Sequence, residues 1–371
     1  MPAYKINAPF RAEQVGSLLR PKELLEARAK KAAGEITPEE LRAVEDKWIA
    51  QAAKEQCECG LKSVTDGEFR RAYFHLDFLE HLEGVRVAHH NLKSDNKADY
   101  KPPTLEVVGK IRHVKDIQVD DYKFLAPHVK APFVAKAAIP SPTMLHFRGG
   151  RQAISEEAYP NLDDFFTDLA KAYQVEIKNL YDAGCRYLQL DDTNLAYLCD
   201  PKMREAAAQR GEDVDALPRN YAKLINASLE GVPEDMVVGV HLCRGNFRSN
   251  FFASGGYEPV AKVLFQELNV DTYFLEWDDE RSGDFAPLRF LPPNKTVVLG
   301  LVSSKHANME TKESLKARIA EAAKYAPLEQ LCLSPQCGFS STAEGNEVTP
   351  ADQWAKLKLC IEVAEEVWSD A

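Results

Sequence analysis

No run of apolar residues in this chain approaches the roughly 18 that a membrane-spanning helix needs, and residues 1–15 contain no apolar signal-like core. A membrane partner is excluded on that ground, and a cytoplasmic location is expected. Clustered positive charge is also missing: Lys+Arg is 46 against 57 for Asp+Glu, a net charge of −11, with no basic run. Nucleic-acid binding rests on such clusters, so nucleic acid is not an expected partner. Cysteine is sparse, eight in 371 residues without framework spacing, which favours reduced thiols over disulfides. Neither G-x-G-x-x-G nor the P-loop pattern occurs, and Gly149-Gly150 is no phosphate loop. Gly/Ser-rich and Pro-rich linkers, internal repeats and low-complexity tracts are absent too, so residues 1–371 read as one domain.

What is present is an alternation of helical patterns and short apolar runs. Thr37-Pro38-Glu39-Glu40 is an N-cap with proline at the first helical position and a carboxylate at N3; Leu41, Val44, Trp48 and Ala52 follow on one face, ending near Gly60. A second helix starts near Asn161 with Phe165, Leu169, Tyr173, Ile177 and Leu180 inward, and stops at Gly184. Thr349-Pro350 opens a third. Eight runs read as buried parallel strands: 13–17, 62–66, 133–139, 186–191, 236–243, 272–276, 296–302 and 330–334. Eight strands alternating with helices predict an α/β chain closed into a (β/α)8 TIM barrel. Residues 85–131 break the rhythm, and segments 104–112 and 116–124 are expected to form a β-hairpin inserted between strands 2 and 3.

The fifth run ends in His241-Leu242-Cys243. Residues i and i+2 of a strand point the same way, so an imidazole and a thiol emerge together. Glu276 ends the sixth run and Cys337 lies just beyond the eighth. Barrel strands converge at their C-terminal ends, where these four groups can surround one ion. One His, two Cys and a carboxylate suit zinc. The plainer alternatives are a satisfied histidine beside a buried thiol, a surface carboxylate and a loop cysteine. A zinc with three anionic ligands activates water poorly but holds an incoming thiol as thiolate, at a pH where a free thiol, of pKa about 8.5, is mostly protonated. Thiol alkylation is the chemistry implied. Glu68 and Asp191, after the second and fourth runs, can hold the ammonium of an amino-acid substrate, and backbone N–H groups at Val15-Gly16-Ser17 its carboxylate. Helix capping by Asp191 and Asp192, and a plain turn at Gly16-Ser17, are the alternatives.

Through Val15-Gly16-Ser17, Asp66-Gly67-Glu68-Phe69-Arg70-Arg71, Pro142-Thr143-Met144-Leu145, Leu188-Gln189-Leu190-Asp191, His241-Leu242-Cys243, Glu276 and Cys337, nearly the whole sequence resembles the catalytic barrel of cobalamin-independent methionine synthase. The resemblance implies that His241, Cys243, Glu276 and Cys337 bind Zn²⁺. The zinc in turn binds homocysteine sulfur for attack on the methyl of a methyltetrahydropteroylglutamate. It further implies that Gly16, Ser17, Glu68 and Asp191 hold the amino-acid part. The sequence departs from the long family members by lacking a counterpart of their N-terminal barrel, which places it with the single-barrel branch. Phe147 stands where they have a tryptophan, Tyr197 where they have a folate-contacting glutamate, and Lys305, beside His306, where they have a catalytic histidine.

Cleaving an N-methyl bond needs an acid for the departing nitrogen. Lys305 or His306 is the candidate, and both are counted with Asp191 as catalytic; a solvent-facing loop is the alternative. Arg244 and Arg248 are either contacts for an anionic donor or surface ion pairs. Cys57 and Cys59 diverge on a helix, and His89-His90 lacks nearby thiols. The expected activity is methyl transfer to homocysteine, with small molecules as partners. Related alternatives are a corrinoid methyl donor, or coenzyme M opening an epoxide. A metal-free lyase resembling uroporphyrinogen decarboxylases and a non-enzymatic binding barrel would leave the His-x-Cys pair unexplained.

Overall fold

The computed structural model of the chain describes residues 8–88, 103–246, 249–343 and 345–371. Ten strands occur among them: β1 (Ser63–Val64), β2 (Glu83–Ala88), β3 (Thr104–Arg112), β4 (Val134–Ala135), β5 (Ala137–Pro140), β6 (Tyr187–Asp192), β7 (Val237–Leu242), β8 (Thr272–Glu276), β9 (Thr296–Val302) and β10 (Leu331–Pro335). Six form a parallel sheet in the order β10-β9-β8-β7-β6-β5. Their burial is continuous from β6 to β8, as expected of strands covered on both faces.

The remaining positions close the barrel. β4 and β5 form one course interrupted at Lys136, where the chain changes partner: β4 pairs with β1 and β5 with β6. Lys136 N–H still donates to Val64 C=O at 2.8 Å. On the other side Glu13 N–H donates to Leu333 C=O, and Leu333 N–H to Arg11 C=O, both at 2.8 Å, around the parallel bridge Ala12↔Leu333. Between this segment and β1 the seam is largely side chain, with Gln14 Nε2 donating to Ser63 C=O at 2.8 Å and Thr65 Oγ1 to Gly16 C=O at 2.6 Å. The expected strand 13–17 therefore forms no ladder, and the one bridge falls just before it at Ala12. Gly16, at φ 143, turns the chain away before a ladder can form.

Helix ends follow the local chemistry. Thr37 and Glu40 form a capping box with proline at the start of Pro38–Cys59, Gly60 ends it at φ 100, and Thr349 with Asp352 repeats the box on Pro350–Val367. Asn161 caps Leu162–Asp182, whose Phe165, Leu169, Tyr173, Ile177 and Leu180 are all buried. In Pro38–Cys59 the buried stripe is rotated from the expected one: Glu45, Ile49, Ala52, Ala53 and Gln56 are buried, while Leu41, Val44 and Trp48 are half-buried. Glu45 is tolerated inside because Arg28 and Arg70 reach it at 3.1 and 3.3 Å, and Gln56 because it bonds Thr65 N–H and C=O.

The insertion lies between the second and third barrel positions and contains an antiparallel pair, but its arms are β2 and β3. Segment 116–124, expected as the second arm, supplies the helix Val119–Leu125 instead. The pattern there is short, and Val119, Tyr122 and Leu125 fall on one helical face once packed against the barrel.

Inside the barrel a small apolar layer of Val15, Tyr187, Val237, Phe274, Val298 and Cys332 surrounds a buried ion pair. Glu13 accepts from Tyr187 Oη at 2.8 Å and Ser63 Oγ at 2.6 Å. Lys136 donates to Gln14 C=O at 2.6 Å, lies 3.8 Å from Glu13 Oε2 and sits 4.1 Å from the Phe274 ring centroid. Burial pulls the Lys136 ammonium down to about 8, against the opposing charges of Glu13 and Asp191. Replacing Lys136 with Met leaves the Glu13 carboxylate without its cation, and urea unfolding is expected to register a loss of about 3 kcal/mol. A variant as stable as the parent would show that the pair contributes nothing.

Candidate active site and metal centre

Parallel register decides which side chains meet at the barrel mouth. Asp191 pairs with His241, His241 with Phe274, and Glu276 with Gly300, so β6, β7 and β8 finish level with one another. Cys243 follows β7 directly and Cys337 lies two residues beyond β10. One ligand atom each from His241, Cys243, Glu276 and Cys337 all lie within 4.8 Å of one another, and all four residues are buried. The two sulfurs are 3.4 Å apart.

The donor set is oriented from outside. His241 Nδ1 lies 3.2 Å from Phe274 C=O, which fixes the tautomer with Nδ1 as donor; Nε2, buried and without a hydrogen-bond partner, faces the thiols. Glu276 Oε2 accepts from Arg244 N–H at 3.3 Å, with Arg281 at 3.5 Å, while Oε1 has no partner. Gly245 N–H donates to Cys243 Sγ at 3.2 Å. Burial raises the Glu276 carboxyl above its ordinary range, opposed by Lys305 and Arg244. The hydrogen bond from Cys243 holds the Cys337 thiol well below its usual range, with His241 assisting, so the sulfurs divide one proton unequally. Burial pulls the His241 imidazole down, yet Cys337, Asp191 and Glu276 together hold it above its ordinary value.

Two orphaned buried acceptors beside two sulfurs fit a metal ion. Tetrahedral bonds of about 2.3 Å to sulfur separate two thiolates by about 3.8 Å, so only a small opening of the pair is required. The other group of this kind among the described residues is His113, Asp116 and Glu176. There Glu176 already binds His113 at 2.6 Å and the N–H groups of Ile117 and Gln118, and Asp116 accepts from Asn179 at 2.7 Å. It is a clamp between the insertion and the barrel.

Three of the four clustered residues, His241, Cys243 and Cys337, form part of the wall of a cavity of about 710 Å³, which Val15, Ser17, Glu68 and Asp191 also line. Gly16 stands behind Glu68: a Cβ there would come within 3.0 Å of Glu68 Oε1. Glu68 itself adopts φ 58, held by its N–H donating to Asp66 Oδ1 at 2.8 Å. Asp191 accepts from Gln189 at 2.7 Å, and burial raises its carboxyl against the pull of His241 and Arg71. Asp192 is taken up by Thr143 Oγ1 and by Leu195 N–H, the capping role.

Lys305 is buried with an unpartnered Nζ, and its charge acts on Glu276, Cys243 and Cys337. His306 is exposed and bridged to Glu347; neither residue is among those lining the cavity. Arg244 is no donor contact: it is fully buried, donating to Gly255 C=O at 2.8 Å and Tyr257 Oη at 2.9 Å beneath Glu276. Arg248, His89 and His90 lie outside the described residues. Arg71 and His75, both on the cavity wall, had no individual role in the sequence reading. Arg71 pairs with Glu68, and His75 is buried with Nδ1 unpartnered, its imidazole held well below its ordinary value by burial and by Arg148 and Arg71. Their place within or just after the Asp66–Arg71 motif was the available signal.

The family model for the catalytic domain of cobalamin-independent synthase matches residues 10–366. The chain belongs to the cobalamin-independent methionine synthase family. It is 47% identical over 370 residues to the uncharacterized Bacillus subtilis protein YxjH, covering 98% of this chain and 96% of that one. It is 27% identical over 328 residues to a methionine synthase of Saccharolobus solfataricus, covering 88% and 86% respectively. A Listeria monocytogenes structure assigned as a vitamin-B12-independent methionine synthase superposes with a TM-score of 0.79 at 40% identity, over 97% of this chain and 98% of that chain. A Shewanella B12-independent methionine synthase in complex with selenomethionine shares the fold, with a TM-score of 0.72 at 21% identity over 96% and 97%. The chain is thus a methionine-synthase-like enzyme acting on small molecules, and no described helix is long and apolar enough to cross a membrane.

Cys243→Ser and Cys337→Ser are each expected to lower bound metal at least about tenfold after dialysis against a weak chelator, with the thermal transition retained. Both thiols sit at strand exits, so their loss should spare the barrel core. Metal content equal to the parent's would remove both from the ligand set, and a collapsed transition would make the ion structural.

Proposed function

We propose that this protein is a zinc enzyme that transfers a methyl group to the thiol of homocysteine, giving methionine. One observation carries the reading: the buried, unpartnered His241 Nε2 and Glu276 Oε1 belong to one cluster with two cysteine sulfurs, and His241, Cys243 and Cys337 of that cluster line the cavity. Bound there, zinc supplies a substrate thiolate at neutral pH from a thiol whose free pKa is about 8.5. The requirement for reduced thiols at Cys243 and Cys337 supports a cytoplasmic setting.

The chain's own residues position the reactants. Glu68 and Asp191 take the ammonium of homocysteine, and the Val15-Gly16-Ser17 turn takes its carboxylate. The thiol is thereby directed toward His241, Cys243, Glu276 and Cys337. Phe147 and Tyr197, with ring centroids 6.0 Å apart, form an aromatic part of the wall for the methyl donor. The donor we favour is 5-methyltetrahydropteroylglutamate. The sulfur lone pair forms the new C–S bond while the methyl–nitrogen bond breaks toward nitrogen, which takes up a proton. Lys305, buried beside the ligand set with a free Nζ, is our candidate for that proton, ahead of the exposed His306.

The decisive experiment measures zinc content and methionine formation together, offering methylfolate monoglutamate, methylfolate polyglutamate and methylcobalamin as donors. Activity should rise with zinc occupancy and require homocysteine. Full activity in zinc-free protein would end the proposal, and turnover only with methylcobalamin would replace the donor. Lys305→Met is expected to reduce kcat about 100-fold with little change in the KM for homocysteine. The same loss in His75→Asn, with Lys305→Met unaffected, would move the proton to His75, which does line the cavity.

A further inference from the structure

The amino-acid end of the cavity already contains a cation. Arg71 is largely buried and lines the cavity together with Glu68, Asp191 and Cys337. Its Nη2 is ion-paired to Glu68 Oε2, and its Nη1 donates to Ser341 C=O at 2.8 Å. Beyond Glu68, the acidic groups that act on its charge are, in descending order, Asp191, Asp77, Asp66 and Cys337. Two of these are committed elsewhere: Asp77 accepts the N–H groups of Ala72 and Tyr73, at 3.1 and 2.6 Å, and Asp66 accepts that of Glu68.

Glu68 cannot turn away from this arrangement. Its left-handed backbone is pinned by Asp66, its carbonyl accepts from Arg20 at 2.9 Å, and Gly16 is the residue that leaves room for its carboxylate. Arg20 also donates to Arg71 C=O at 2.6 Å, so the backbones carrying both partners are held by one guanidinium. The Arg71 side chain is the part free to yield, since its remaining tie is one carbonyl on the loop after Cys337.

We propose that Arg71 is the resident counter-cation of the amino-acid subsite, competing with the substrate ammonium for Glu68 and Asp191 and so limiting how tightly amino acids are held. The inference rests on the reading of Glu68 and Asp191 given above and deepens it. Two buried carboxylates facing a lone ammonium would retain methionine as firmly as homocysteine, because both carry the same amine. A guanidinium that recloses on Glu68 as the ammonium leaves offsets the desolvation of that carboxylate and speeds product release. Arg71 is thus a positioning residue for both carboxylates. A group that instead bound the substrate carboxylate would give the opposite response on removal.

Isothermal titration of the zinc-loaded protein tests this with L-methionine, L-homocysteine and 4-mercaptobutyrate, the thiol acid without an amine. Arg71→Gln is expected to bind L-methionine and L-homocysteine about fivefold more tightly or better, and 4-mercaptobutyrate more weakly. In steady state, kcat and the KM for homocysteine should fall together, as slowed release requires. Arg71→Lys keeps the charge and should return both affinities to within about twofold of the parent, which separates the effect from a folding defect. Weaker or unchanged binding of L-methionine by Arg71→Gln would overturn the inference and leave the proposed function standing. A parent protein that binds neither amino acid would overturn the proposed function itself.

Discussion

Glu276, Cys243 and Cys337 are acidic groups buried within reach of one ion, and anions removed from water repel one another at several kcal/mol or more unless positive charge compensates them. The architecture of the barrel mouth answers to that constraint. Arg244 and Arg281 approach Glu276, the charge of Lys305 acts on Cys243, and the Phe274 carbonyl engages His241 Nδ1. The two sulfurs lie 3.4 Å apart within hydrogen-bond reach, and His241 Nε2 and Glu276 Oε1 have no hydrogen-bond partner. A divalent ion held by His241, Cys243, Glu276 and Cys337 would offset that repulsion and engage both acceptors.

A second cluster of opposite charges sits across the same cavity with a different solution. Glu68 is ion-paired with the Arg71 side chain, and the charges of His241 and then Arg71 favour the Asp191 carboxylate. The His/Cys/Glu/Cys cluster is built from strand termini whose backbone positions are fixed by the sheet. The Glu68–Arg71 pair is built on a loop beside a turn, where Gly16 and Glu68 both adopt positive φ. Rigid placement suits groups that must hold one geometry, and a loop-borne arginine suits a charge that has to yield.

Much of this could be read from residue order. Caps at Thr37, Asn161 and Thr349 fixed helix starts because an N-cap needs only its next few neighbours, and the runs ending at Asp191, His241 and Glu276 carried their burial in composition. Errors arose where distant partners override local pattern. Segment 116–124 alternates weakly enough to suit a strand, but contact with the barrel makes it a helix. The stripe on Pro38–Cys59 turned because Arg28 and Arg70 make Glu45 acceptable inside. Arg244, expected as a contact for an anionic donor or a surface ion pair, is neither, because four hydrogen-bonding neighbours enclose it.

By itself the sequence determined the kinds of chemistry available: imidazole, thiol and carboxylate at strand exits, with two-residue spacing that points His241 and Cys243 the same way. Tertiary structure alone decided that Cys337, 94 residues after Cys243, comes to 3.4 Å from it. It also decided that Asp191 and Asp192 both reach the cavity wall, with Asp192 engaged by Thr143 and Leu195, and that Arg71 is paired with Glu68. The reason is that periodicity encodes direction along a single element, whereas distance between elements, and hence charge balance and pKa, is set by how the barrel closes.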